Sequence, residues 1–376
     1  MAQIQGNAKD TIFARVFRIE GTAIALVFAL LILLFLMTAP AAFSSYQICM
    51  SFLASVSPPL IAALGLTLVV VAGEIDLSFP SAMAFSGYVF CILFQQFDLT
   101  FLAVFLALGV GVMMGFVNGL VMTQLGMPSL IGTLAMLFFW GGFLTVVSGG
   151  ISIAIPTIRD IWVHAVLAGR IGVLPVQFLW TLALAVVIWF ILNRHRFGES
   201  LLFIGDSRKV ARVVGIATDR EKIRLFTLMG GLSACAGVIL TLDTGPYISP
   251  AGMGYLLIVV AAVFIGGTSI LGGSGKVIGT VSGSLIVAVI KAGSVASGIQ
   301  ARLHPLDQGR RADLHPYRTQ YPPRARGLRP DHRAGSWAGG PRHTDIRPDL
   351  CATDRVPDVA ARRCAPTGLP PLVTCF

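Results

Sequence analysis

Residues 99–158 read LTFLAVFLALGVGVMMGFVNGLVMTQLGMPSLIGTLAMLFFWGGFLTVVSGGISIAIPTI, without one Asp, Glu, Lys or Arg. A hydrocarbon core roughly 30 Å thick is crossed by about 20 apolar residues of helix, so this stretch is long enough for more than one crossing. Residues 21–73, 171–193 and 225–242 are equally free of charge. With no water in the bilayer core every backbone amide must be paired within its own segment, and glycine-interrupted apolar runs satisfy that as helices. The short alternating strands of a membrane barrel are absent from the sequence. The predicted fold class is all-α, a polytopic transmembrane helix bundle.

The whole chain agrees with that stretch. Hydrophobic residues make up 55% and charged residues 12%, far from the average of a soluble domain. A net charge of +10 suggests nucleic acid only if its distribution is ignored. Lys and Arg lie at membrane flanks and in the last fifth of the chain, and no basic groove with stacking aromatics is present, so no nucleic-acid partner is expected. Six cysteines form no framework: Cys49, Cys91 and Cys235 stand singly in apolar segments, and Cys351, Cys364 and Cys375 near the C-terminus. A lone thiol in an apolar helix is usually a small hydrophobe. Lys9, Arg15 and Arg18 before an apolar run, with Ala39 and Ala41 after it, imitate a secretory signal. An uncleaved first helix is the expectation, because the rest of the chain is membrane-embedded too.

Hydropathy places helices near 22–38, 50–72, 81–96, 101–121, 128–147, 176–193, 225–242, 254–271 and 276–294. If the first starts inside, the loop 194–224 after the sixth is also inside. It carries Arg194, Arg196, Arg208, Lys209, Arg212, Arg220, Lys222 and Arg224, whereas the opposite loop 148–175 has only Arg159 and Arg170. The positive-inside rule therefore supports nine helices within a permease domain at 1–300. Helices that approach closely in lipid use small residues. Gly111, Gly115 and Gly119 form one such ladder and Gly275, Gly279 and Gly283 another, both read as packing.

The composition changes at about residue 301. Residues 301–376 hold thirteen Arg and no Lys, seven Asp and no Glu, and eleven Pro. A natural disordered tail would have a similar lack of core-forming residues. The absence of Lys and Glu beside so much Arg and Pro resembles GC-rich DNA translated out of frame, and a frameshifted, disordered tail is the reading adopted. With nine helices that tail would lie outside, where Arg is disfavoured.

Three local patterns could carry function. Gly73-Glu74-Ile75-Asp76-Leu77-Ser78 places two carboxylates at the junction of two apolar helices. Acids at a membrane edge are costly and often functional, yet Asp76 or Ser78 could merely cap the next helix. Both readings stay open on position alone. In the basic loop, 201–204 is apolar, Gly205-Asp206-Ser207 is a turn with capping residues, and 208–214 can be a short helix ended by Gly215. Such a helix could dock a soluble partner, rest on membrane lipid, or be a solvated charged loop.

Gly205-Asp206-Ser207, then Val210-Ala211 and Val214-Gly215-Ile216, resemble the cytoplasmic loop of ribose-type sugar ABC importer permeases, the family that also includes branched-chain amino acid permeases. The 73–78 run is similar to that family's early signature. The run 261–275, AAVFIGGTSILGGSG, with Gly279-Thr280 after it, resembles its late glycine-rich one. The resemblance covers about residues 20–300. It implies a coupling helix seated in an ABC ATPase subunit, a second permease copy or paralogue, a periplasmic solute-binding protein, and residence in the bacterial inner membrane. It also implies a tenth helix, absent from the sequence beyond 300, and an acidic residue near position 256, where Leu256 stands. ATP and magnesium would belong to the ATPase, with no cofactor in this chain.

On these grounds Gly205, Asp206, Arg208, Ala211, Gly215 and Ile216 are the expected coupling residues. The glycine-rich 266–275 run and the 73–80 junction would be broken or re-entrant backbone lining a cavity. Glu74, Asp76, Ser78, Asn118, Ser129, Thr133, Thr268 and Ser269 are candidates for the translocation path. No enzyme chemistry of its own is expected. Gly275-Lys276 is followed by Val277, so no phosphate-binding loop forms, and His164 and His195 lack Cys partners. The expected function is sugar import. An ion-coupled secondary transporter using Glu74 and Asp76 is the alternative, as is a branched-chain amino acid permease; the late glycine motif favours sugar.

Overall fold

The computed structural model describes residues 22–38, 40, 45–97, 100–154, 161–247 and 252–296. The basic residues expected before the first helix and the Arg-rich segment from 301 lie outside them. The chain runs α1 (Thr22–Thr38), α2 (Tyr46–Val71), α3 (Phe79–Phe97), α4 (Thr100–Gln124) and α5 (Ser129–Ser148). At the far end of α5 come β1 (Ile153–Ala154), α6 (Trp162–Leu167), β2 (Arg170–Ile171) and β3 (Leu174–Pro175). Then follow α7 (Val176–Arg194), α8 (Arg196–Asp206), α9 (Arg208–Val213), α10 (Thr218–Thr244) and β4 (Pro246–Tyr247). A 3-10 turn (Met253–Tyr255) leads into α11 (Leu256–Ile265), and α12 spans Val277–Ala296. The strands form two small antiparallel ribbons, β1 with β4 and β2 with β3.

Each of the nine expected spans contains a helix. Among the described residues six of these, α2, α4, α5, α7, α10 and α12, are long and apolar enough to cross a membrane. The eighth is shorter than expected: a helix over 254–271 would span, but α11 stops at Ile265. The physical cause is the glycine run, in which Gly267, Gly272 and Gly273 adopt φ of 81°, 86° and 74°. Those values lie in the left-handed region that ends right-handed helices.

The core gathers around α2, whose residues from Val56 to Val71 are buried on every side. A helix that is apolar all round belongs inside a bundle, and α7, α10, α11 and α12 supply its cover. Pro58 and Pro59 sit within it, tolerable in a membrane helix because neighbouring groups take up the freed carbonyls.

Both glycine ladders are packing surfaces. A Cβ on Gly115 would lie 2.2 Å from the Phe226 carbonyl oxygen, and one on Gly230 of α10 2.2 Å from that of Gly111. Along the second ladder, Gly279 faces the Gly266 carbonyl at 2.0 Å and Gly283 that of Ala262 at 2.2 Å. Gly115→Val should therefore push α4 off α10 and cost about 2–3 kcal/mol, the upper range for overpacking. Gly109, with open space around its Cβ position, is the control. Thermal unfolding of the detergent-extracted protein should fall for Gly115→Val and hold for Gly109→Ala.

Candidate coupling site and buried polar path

The basic loop between α7 and α10 is two helices with one residue between them. Leu201 and Ile204 bury one side of α8. Ser207 is extended, and its Oγ accepts from the Val210 amide at the start of α9. The expected turn at Gly205-Asp206-Ser207 is corrected here: Gly205 and Asp206 are the last residues of α8, and the chain turns at Ser207 alone. Gly205 is needed for close approach, since a Cβ there would lie 1.9 Å from the Val71 oxygen and 2.4 Å from the Gly273 nitrogen.

At its other end α9 closes as anticipated. Gly215 has φ 92°; its amide donates to the Arg212 oxygen and that of Ile216 to the Ala211 oxygen, 3.1 and 3.0 Å. This paired arrangement is a Schellman cap, which satisfies carbonyls that a helix end leaves open. Ala211 is buried, whereas Val213 and Val214 are 87% and 69% exposed, an apolar pair pointing away from the bundle.

The three motifs singled out in the sequence converge at one place. The Gly273 amide donates to the Val71 oxygen at 2.9 Å, and a Cβ on Gly272 would lie 2.8 Å from Gly73 and 3.0 Å from the Gly205 oxygen. The end of α2, the end of α8 and the glycine run thus touch backbone to backbone. Glu74, 5% exposed, ion-pairs with Arg208 and with Lys222 Nζ at 3.0 Å. Lys222 is buried too, while Arg208 is 46% exposed. Buried ions are tolerable only when paired this well. Glu74 therefore stands with the expected coupling residue Arg208, and its neighbours face a different group.

From Glu74 the chain runs extended along α5. The Ile75 amide donates to Ser129 Oγ at 3.0 Å and the Leu77 amide to Thr133 Oγ1 at 3.1 Å. Thr133 Oγ1 in turn lies 3.2 Å from the Ile75 oxygen. Side-chain hydroxyls of a helix stand in for the missing neighbour strand, satisfying backbone groups that water cannot reach. Asp76 Oδ1 accepts from the Ser78 amide and hydroxyl, 2.8 and 2.6 Å. Asn118 Nδ2 donates to Ser78 Oγ at 2.7 Å and Trp140 Nε1 to Asn118 Oδ1 at 2.9 Å.

Asp76, Ser78, Asn118, Ser129 and Thr133 are thus brought together. Thr268 and Ser269 are elsewhere, in the glycine run, where Ser269 and Ser274 pair through their backbones. Sequence reasoning missed Lys222 and Trp140. An indole N–H buried in an apolar helix needs an acceptor, and that requirement together with Asn118 was the available signal for Trp140.

Both bonds to Asp76 end on one oxygen, which an amide oxygen can replace. Asp76→Asn should keep transport within about threefold, because Asn accepts the same bonds. Asp76→Ala strands the Ser78 amide and hydroxyl at about 1–3 kcal/mol and should cut uptake about tenfold or more. Parallel uptake assays decide between acceptor and charge; a crippled Asn variant would make the charge the essential property.

A profile of the family described as "Branched-chain amino acid transport system / permease component" matches residues 48–308. The chain is 36% identical over 236 residues to the inner membrane ABC transporter permease protein YjfF of Escherichia coli (strain K12), covering 61% of this chain and 70% of that protein. It is 31% identical over 251 residues to the autoinducer 2 import system permease protein LsrD of Photorhabdus laumondii, covering 65% and 74%. It is also 31% identical over 253 residues to the xylose/arabinose import permease protein XylH of Sulfolobus acidocaldarius, covering 64% and 68%. No solved structure matches.

Proposed function

The chain belongs to the branched-chain amino acid transport system / permease component family of multi-pass inner membrane proteins, and from that premise we propose that it carries a sugar or similar small polar solute inward, driven by ATP hydrolysed in a partner subunit. Its matched relatives are permeases of ABC transporters and import systems, named for autoinducer 2 and for xylose and arabinose. Those names favour a sugar-like solute over a branched-chain amino acid and ATP over an ion gradient. Membership implies an ABC ATPase and a binding protein in general. Their docking points here, a second permease copy, and the assignment of ATP and magnesium to the ATPase are parts of the proposal.

One observation carries the mechanism: α9 is tied through Arg208 and Glu74 to the extended segment that leads into α3. Movement of α9 by an ATPase would pull on Glu74, and the strand it anchors is bound to α5 and, through Ser78, to α4. The exposed Val213 and Val214 offer the partner an apolar face, of the kind that marks protein contacts. Force reaches the bundle without any reacting group in this chain.

The test is a crosslink. Val213→Cys, in membranes holding the partner ATPase and binding protein, should join the ATPase through a short thiol-attached photocrosslinker, which needs no thiol on the partner. Uptake into vesicles should need ATP and survive collapse of ion gradients. Labelling of the introduced thiol only from the external side would end the importer assignment, and uptake driven by an ion gradient alone would replace it with secondary transport.

A further inference from the structure

The starts of α3 and α11 meet inside the membrane. Lys222 marks the cytoplasmic junction on α10, and Gly237 packs against α3 so closely that a Cβ would lie 2.1 Å from the Met83 oxygen. About four turns of helix separate them, roughly 22 Å at 1.5 Å per residue in a core roughly 30 Å thick. The turn before α11 reaches a similar depth, since a Cβ on Gly252 would lie 1.9 Å from the Pro80 oxygen.

Two cavities flank this meeting point, with volumes of about 220 and 160 Å³, and Ala84 lines both. Thr241, Thr244, Tyr247 and Tyr255 contribute to the first and Ser81 to the second. Among the described residues no Asp, Glu, Lys or Arg lines either one, and Lys291 stands with its Nζ 5.7 Å from the centroid of the Tyr255 ring. An ion there would lose its hydration without a charged side chain in the lining to replace it, a large cost at that depth. A neutral hydroxylated solute fares differently. Thr241 and Thr244 donate to the Gly237 and Leu240 oxygens at 2.9 Å each, and each hydroxyl retains acceptor capacity. The tyrosines add aromatic surface. Both volumes lie below the ~300–1,000 Å³ of pockets for drug-sized ligands, a scale suited to a single small solute.

We propose that the paired cavities around Ala84 are an intramembrane transit site for one uncharged, hydroxylated solute of about sugar-ring size. The proposal deepens the import reading and rests on it for the direction of movement. Selection here works by exclusion, for among the described residues no charged side chain lines either cavity and so none compensates a charged solute by contact.

Ala84→Cys in the full chain, in membranes with its ATPase, is treated with a methanethiosulfonate carrying a neutral glucosyl group, and separately with sulfonated and trimethylammonium analogues. The parent chain, with its native Cys49, Cys91 and Cys235, sets the background. Mass spectrometry should find the introduced thiol modified about tenfold or more faster by the glucosyl reagent, given the penalty on charge at bilayer depth. No modification, or equal rates for charged and neutral reagents, overturns the site. Should Ala84→Cys fail to reach the membrane, Thr241→Cys carries the same test in the first cavity. Labelling does not depend on ATP-driven uptake, so failure of the import reading would be seen separately, as vesicles that accumulate solute without ATP.

Discussion

A Gly205→Val permease loses ATP-driven uptake by about 100-fold, corresponding to about 3 kcal/mol against the assembled junction. The position leaves no space for a side chain. Its Cβ would lie 1.9 Å from the Val71 oxygen and 2.4 Å from the Gly273 nitrogen, and neither neighbour is a side chain that could swing aside. The substitution must therefore separate α8 from the end of α2 or break the bond from the Gly273 amide to the Val71 oxygen. Both outcomes detach the basic loop from the bundle while the apolar spans, which need only lipid and one another, still insert. The measurement is uptake in vesicles beside surface biotinylation of the same preparation. Normal uptake by Gly205→Val would mean that this contact is not a transmitting one, and the lever model would go with it.

Removing the Glu74 carboxylate should be nearly as severe. Glu74→Ala leaves Lys222 buried with its charge uncompensated, and breaking a buried pair from one side costs about 3–5 kcal/mol. Arg208 suffers less because about half of its side chain already meets water. A Glu74→Ala, Lys222→Leu double variant should regain most of the stability, since a buried pair replaced by apolar groups is often neutral. It should not regain transport, because the link from α9 to the extended segment is gone. Thermal unfolding and coupled uptake, measured on the single and double variants, separate the two effects. Recovery of both in the double variant would reduce the ion pair to a structural staple.

The bundle was legible because lipid imposes a rule that one sequence can display. A membrane span must be long, apolar and internally hydrogen-bonded, and each of the nine stretches has a helix. The short α11 was harder, because a hydropathy window does not register that Gly267, Gly272 and Gly273 take left-handed backbone. At Gly205-Asp206-Ser207 local chemistry misled in the other direction. Gly and Asp are turn formers, but Gly205 is small for the sake of Val71, a tertiary demand with no local signature. Glu74 was grouped with the path residues for a related reason: Arg208 lies 134 positions away, and no spacing rule reaches that far. Asp76, Ser78, Asn118, Ser129 and Thr133 could be picked as polar residues in apolar surroundings, although their mutual bonds could not.

The pairing of residues 75–77 with α5 has a numerical side. Two residues of extended chain advance about 6.6–6.8 Å, while four residues of helix advance about 6 Å, so the amides of Ile75 and Leu77 keep step with Ser129 and Thr133. Strand and helix mesh like a rack and a pinion whose teeth nearly match. Deleting Leu77 would bring Ser78 opposite Thr133 and draw it away from the Asp76 carboxylate and the Asn118 amide that hold it. The segment is thus constrained in length more tightly than in side-chain identity, and swaps at Ile75 or Leu77 should be accepted where a one-residue gap is not.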